Sequence, residues 1–156
     1  MKNSLNKGIQ RGSINIEAAF ILGILVLLFA FTLFFGRLFW YYEISQKAAH
    51  DAVRFMSTVS QVDMRTPGPG GAEAASASVA RWIIDEEVAA LKPYAYPLYI
   101  DVHCDFRTCG NGVPTTVRVS ISLRLKDDIF TPLTSMFTGE DGFLMVTDVT
   151  MRYAGT

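Results

Sequence analysis

The chain has 156 residues, half of them hydrophobic, and a formal net charge of −1. That bounds it to one modest domain plus at most one membrane segment. Beyond residue 36 there are 11 Lys or Arg against 14 Asp or Glu with no basic cluster, which argues against a nucleic-acid partner.

The first element in chain order is apolar on every face. From Ala18 to Gly36, 19 consecutive residues carry no charge, and only Thr32 has a polar side chain. A helix of that length covers about 28 Å, near the hydrocarbon thickness of a bilayer. A soluble domain this small rarely hides such a helix. Lys2, Lys7 and Arg11 precede the run and the first acidic residue is Glu17. The positive-inside rule therefore puts the N-terminus in the cytoplasm and the larger C-terminal part outside the cytoplasmic (inner) membrane. A cleaved secretory signal would end its short apolar region in small residues. Here Arg37-Leu38-Phe39-Trp40-Tyr41-Tyr42 follows, bulky aromatics suited to a membrane interface. The expectation is a retained single-pass anchor in contact with lipid.

Helical periodicity continues past the run. Ile44, Ala48, Ala52, Phe55, Val59 and Val62 recur at spacings of three and four, predicting one long helix from about Ile14 to about Val62 with a buried stripe. Glu43, Lys47 and Asp51 mark another, solvated face. Thr66-Pro67-Gly68-Pro69-Gly70-Gly71 breaks the helix. A second helix is expected from about Ala72 to Leu91, carrying Val79, Trp82, Ile83, Val88 and Leu91, with Lys92-Pro93 ending it.

The period then changes to two. Leu98, Ile100, Val102 and Cys104 alternate with polar residues or Tyr99, and Val117, Val119, Ile121, Leu123 and Leu125 do so more clearly. Phe143 to Tyr153 reads as a third strand, with Asp148 and Arg152 on its polar face, and residues 127–142 read as a loop. The fold class is α+β: a long N-terminal helix, half transmembrane and half amphipathic, a second helix, and an antiparallel sheet of about three strands. The chain divides into a leader (1–12), a transmembrane helix (13–36), its amphipathic continuation (37–62), a Pro/Gly linker (63–71) and an external α+β domain (72–156).

Cys104 and Cys109 are the two cysteines, both on the external side of the span. An oxidising compartment lets them pair across the turn between the first two strands. Closing so short a loop stabilises a fold by about 2 kcal/mol in the chain-entropy model. A metal site with His103 is the sharper alternative, but three ligands at most leave it short of a closed zinc site.

Catalytic patterns are missing from the sequence: no phosphate-cradling glycine loop, no His-Glu-x-x-His and no Gly-x-Ser-x-Gly. Asp85-Glu86-Glu87 would fan around a helix rather than converge, and Asp127-Asp128 with Glu140-Asp141 lack the spacing of an EF-hand. Neither an enzyme nor a cofactor is expected.

The informative stretch is Arg11-Gly12-Ser13-Ile14-Asn15-Ile16-Glu17, directly before the apolar run. It resembles a type IV prepilin processing site, in which a membrane-embedded prepilin peptidase cuts after a glycine and a glutamate stands at the fifth mature position. Carried over, cleavage falls between Gly12 and Ser13, and Glu17 is that glutamate. A carboxylate at the edge of the hydrocarbon normally requires a partner. The new α-amine of Ser13, meeting Glu17 of a neighbouring subunit, would supply one and set the axial register. Attraction of Glu17 to the helix N-terminal dipole is the plainer alternative.

After the run, Gly36-Arg37 and Ala48-Ala49-His50-Asp51-Ala52-Val53-Arg54 sharpen the likeness. The segment from about residue 11 to 56 resembles the TadE-like pseudopilins, minor pilins of Tad/Flp type IVb pilus assembly systems. The resemblance implies a structural subunit that helps build a thin adhesive fibre. Its partners would be a prepilin peptidase, other pilins or pseudopilins of the same system and an inner-membrane assembly platform. His50 stands where that family often has a basic residue, a departure because imidazole is mostly neutral at neutral pH. The rival reading is an uncleaved single-pass signal-anchor protein with an external binding domain.

Overall fold

A computed structural model describes residues 10–71, 73–110, 112–126, 135 and 142–156. The chain divides into two compact units, Met1–Phe39 and Trp40–Thr156. One helix, α1 (Gln10–Thr58), supplies all of the first unit that is described and opens the second.

In the first unit α1 has the length and apolarity to cross a membrane. Its side chains are bare: Phe20 is 71% exposed and Leu25 61%. Thr32, the one polar side chain between Ala18 and Gly36, donates its hydroxyl hydrogen to the Leu28 carbonyl at 2.9 Å.

In the second unit, α1 buries Tyr41, Ser45, Ala48, Ala49, Ala52, Val53 and Met56. This face is rotated from the expected one: Ala48 and Ala52 belong to it, but Ile44 and Phe55 are only half-buried and Val62 is 73% exposed. Small Ala48, Ala49 and Ala52 share this face with the bulkier Tyr41, Val53 and Met56, all of them buried.

The helix also ends earlier than expected. Ser57 and Thr58 hydroxyls bond back to the Arg54 carbonyl at 2.8 and 3.2 Å. Ser60 then caps a new short helix, α2 (Gln61–Arg65), accepting from the Asp63 amide at 3.2 Å while its hydroxyl donates to the Asp63 carboxylate at 2.7 Å. An N-cap with a carboxylate three residues on is a start signal, so it interrupts the apolar period there.

Helix α3 (Ala75–Glu87) is shorter than expected and passes through Val88 into a 3-10 helix, Ala89–Tyr94, which contains Pro93. Of its apolar residues, Ile84 is buried whereas Trp82 is 64% exposed. The tyrosine of that 3-10 helix, Tyr94, stacks on Tyr41 of α1 with ring centroids 6.3 Å apart.

Four strands form one antiparallel sheet in the order β2-β1-β3-β4, one more than expected: β1 (Tyr99–Cys104), β2 (Arg107–Thr108), β3 (Thr116–Leu125) and β4 (Phe143–Arg152). The two-residue β2 is too short to show a period. Every second residue of β3, from Val117 to Leu125, is buried, a gross stabilisation of about 1.5–3 kcal/mol each. The facing register pairs Val119 with Val102 and Val149, and Leu123 with Met145. On the opposite face Arg118 grips Asp148 through Nε at 2.8 and 3.0 Å and through a second guanidinium nitrogen. Before β4, Gly142 has φ of +90° and lies against the Leu125 carbonyl, a place where a side chain has neither the conformation nor the room.

Candidate functional site

The candidate cleavage residues lie at the start of α1, whose backbone is helical from Gln10. Gly12 and Ser13 therefore sit in its first turn, and Glu17, four residues after Ser13, is exposed on the same face. From Ala18 to Gly36 the helix is apolar and largely unburied, and Arg37 and the aromatic Phe39 and Trp40, 63% and 48% exposed, follow it. A lone carboxylate, an adjacent backbone bond next to glycine, and a bare apolar cylinder thus follow one another along a single element.

The small-residue face carries the second half of the motif. Ala48, Ala49 and Ala52 are fully buried, while His50 and Arg54 are exposed and Asp51 is half-buried. The alternation is helical: the alanines point into the domain and the polar residues between them point out. Lys47 meets Glu87 of α3 at 3.5 Å, but Lys47 is 71% exposed and such a pair holds little.

Cys104 and Cys109 are joined in a disulfide with Cα atoms 4.9 Å apart. It spans the turn from β1 to β2, where Asp105 and Phe106 take φ of +49° and +63°. The Asp105 carboxylate accepts the amides of Thr115 and Thr116, each at 2.8 Å, and the Thr116 hydroxyl at 3.1 Å. The Thr115 amide first, then that of Thr116, holds this carboxyl below its ordinary value. The bond takes both thiols that a metal site with His103 would need, and His103 Nδ1 is buried without a hydrogen-bond partner among the described residues.

The carboxylates of α3 do not converge. Asp85 pairs with Lys92 at 2.7 Å, Glu87 with Lys47, and Glu86 is exposed. Asp127, Asp128, Glu140 and Asp141 lie outside the described residues. One cluster escaped the sequence reading. Arg81 forks onto Glu73 at 3.2 and 2.7 Å and donates to the Ile100 carbonyl, tying α3 to the Pro/Gly loop and to β1. Nothing in the spacing of residues 73, 81 and 100 signals it.

Residues 12–54 match the family model described as TadE-like protein. The match opens on Gly12, takes in Glu17 and the whole apolar run, and closes on Arg54, just past the buried alanines. No curated protein and no solved structure matches the chain.

Proposed function

We propose, from the match of residues 12–54 to the TadE-like family model, a pilus-related minor pilin or pseudopilin, a structural subunit whose chemistry is confined to being a substrate. A prepilin peptidase cleaves between Gly12 and Ser13. The apolar half of α1 is a single-pass anchor in the inner membrane with the leader in the cytoplasm and the sheet domain outside. Other pilins of the system and its inner-membrane assembly platform are the partners, and the fibre serves adhesion.

The single observation that carries this reading is the order of features within the matched segment: glycine, carboxylate, bare apolar helix, packed alanine face. An unburied apolar helix has to be covered, by lipid before assembly and by neighbouring helices afterwards. Cleavage after Gly12 places a cationic amine on Ser13, one helical turn from Glu17 of its own chain and at a matching depth to Glu17 of a neighbour. Pairing neutralises two charges that are expensive at the hydrocarbon edge, and pairing between subunits fixes their axial offset.

The test is complementation with Gly12→Leu and Glu17→Ala, scoring processing on gels and surface fibres by microscopy. Leucine at residue 12 puts bulk where a peptidase must approach the backbone, so Gly12→Leu stays uncut. Glu17→Ala is still trimmed and inserted but gives no fibres. Normal fibres from Glu17→Ala would remove the register role, and normal trimming of Gly12→Leu would remove the processing site.

A further inference from the structure

We propose that the Cys104–Cys109 disulfide is a redox-sensitive latch, which when closed holds the Pro/Gly loop and the start of α3 on the sheet and when opened releases them while β1, β3 and β4 stay paired. The proposal does not rest on the pilus reading.

Residues 66–71 and 73–75 pair back on each other, with Gly68 N–H donating to the Glu73 carbonyl at 2.7 Å and Ala75 N–H to the Thr66 carbonyl at 2.8 Å. Among the described residues, two hydrogen-bonded contacts tie the far side of this loop to the rest of the domain. One is the Arg81 fork on Glu73. The other is the Ala74 amide, which donates to the Cys109 carbonyl at 2.9 Å. Ala74 is the N-cap of α3 and its side chain cannot cap, so the Cys109 carbonyl satisfies one of the donors at that helix end. Gly110 packs so closely that a Cβ there would lie 3.1 Å from Ala74 N.

The Cys109 side chain is buried, at 2% exposure, but the main chain leading to it has little strand support. The strand preceding it, β2, has two residues, both exposed, and pairs with β1 only through His103–Thr108 and Cys104–Arg107. A pair of exposed residues in two-stranded contact is marginal in water. The neighbouring strands are different: β1 and β3 pair over six residues and β3 and β4 over ten, with a continuous buried face. Opening the bond therefore removes the support of the weak element without touching the strong one.

A route for a reductant exists. A cavity of about 360 Å³ is lined by Cys104, Asp105, Arg107, Thr108, Gly110 and Pro114 among others, large enough for a small dithiol. One thiolate of the dithiol attacks the Cys104 sulfur, the S–S bond breaks, and Cys109 leaves as thiolate and takes a proton. The second thiol of the reagent then attacks the mixed disulfide, releasing Cys104 as a thiol. The protein gains two electrons and two protons, and the dithiol ends as a cyclic disulfide.

The experiment is hydrogen exchange by mass spectrometry on the full chain in lipid nanodiscs, before and after dithiothreitol. Peptides covering residues 66–75 and 105–110 should exchange at least about tenfold faster after reduction, while those from β3 and β4 keep their protection. A Cys104→Ser/Cys109→Ser variant should show the fast loop with or without dithiothreitol. Unchanged exchange at 66–75 on reduction, or loss of protection in the loop and in β3 and β4 together, would overturn the latch.

Discussion

The hydroxyl of Tyr153 donates to the backbone carbonyl of Val59 at 2.7 Å, joining positions 94 apart in sequence. Beside it the Ala154 amide donates to the Ser57 carbonyl at 2.9 Å. Carbonyls at the end of a helix have no partner within it. Residues after β4 supply the partners here, which fixes where α1 stops and seats it on the sheet domain.

Tyr153→Phe keeps the ring and removes the donor, leaving the Val59 carbonyl unpaired. The expected loss is about 0.5–1.5 kcal/mol of stability. Chemical denaturation of the full chain in detergent, followed by tryptophan fluorescence, measures it. No loss would mean that solvent serves that carbonyl equally well.

Ala52→Leu tests the packed face. Ala52 has no exposed surface, and extra methylenes forced into a filled site cost about 1–3 kcal/mol. The same change at Val62, which is largely exposed, should stay within about 0.5 kcal/mol. Equal effects at both positions would restore the stripe expected from periodicity and contradict the rotated one.

Acid should loosen the β1–β2 turn through Asp105. Its folded pKa lies below the ordinary 3.8 because the amides of Thr115 and Thr116 favour the charged form. A depressed folded value contributes stability that is complete above the unfolded value and is lost as pH falls through the folded one. The loss is therefore confined to the region below 3.8. Denaturation curves of wild type and Asp105→Asn, taken from about pH 6 down to about pH 2, should differ most at the upper end and converge at the lower. A constant difference throughout would mean that the carboxylate's charge has no part in holding the turn.

Much of the fold was legible because it repeats. The alternation in β3 is sustained over ten residues, so its buried face could be read directly, and the apolar run of α1 needed only its length. The helix face was legible in part: Ala48 and Ala52 belong to the expected stripe and are buried, but the packed face turns to Ala49, Val53 and Met56 rather than to Ile44, Phe55 and Val62. The strand β2 has no period to read, and the pairing of Arg118 with Asp148 depends on a register that only the folded sheet sets. The segment matched as TadE-like was legible for another reason: glycine, carboxylate, apolar run and alanine face lie close together in sequence, within residues 12–54. The Arg81 fork joins residues from three places in the chain and the Asp105 clamp from two, and no local pattern announces them.

Mass spectrometry and N-terminal sequencing of the mature protein, purified from the membranes of its own host, decide the function most directly. A chain beginning at Ser13, twelve residues shorter than the full 156, is the result expected of a processed pilin. A chain beginning at Met1, in a host whose prepilin peptidase is active, would contradict it and leave an uncleaved signal anchor. A chain beginning beyond Gly36 would contradict the retained membrane helix as well.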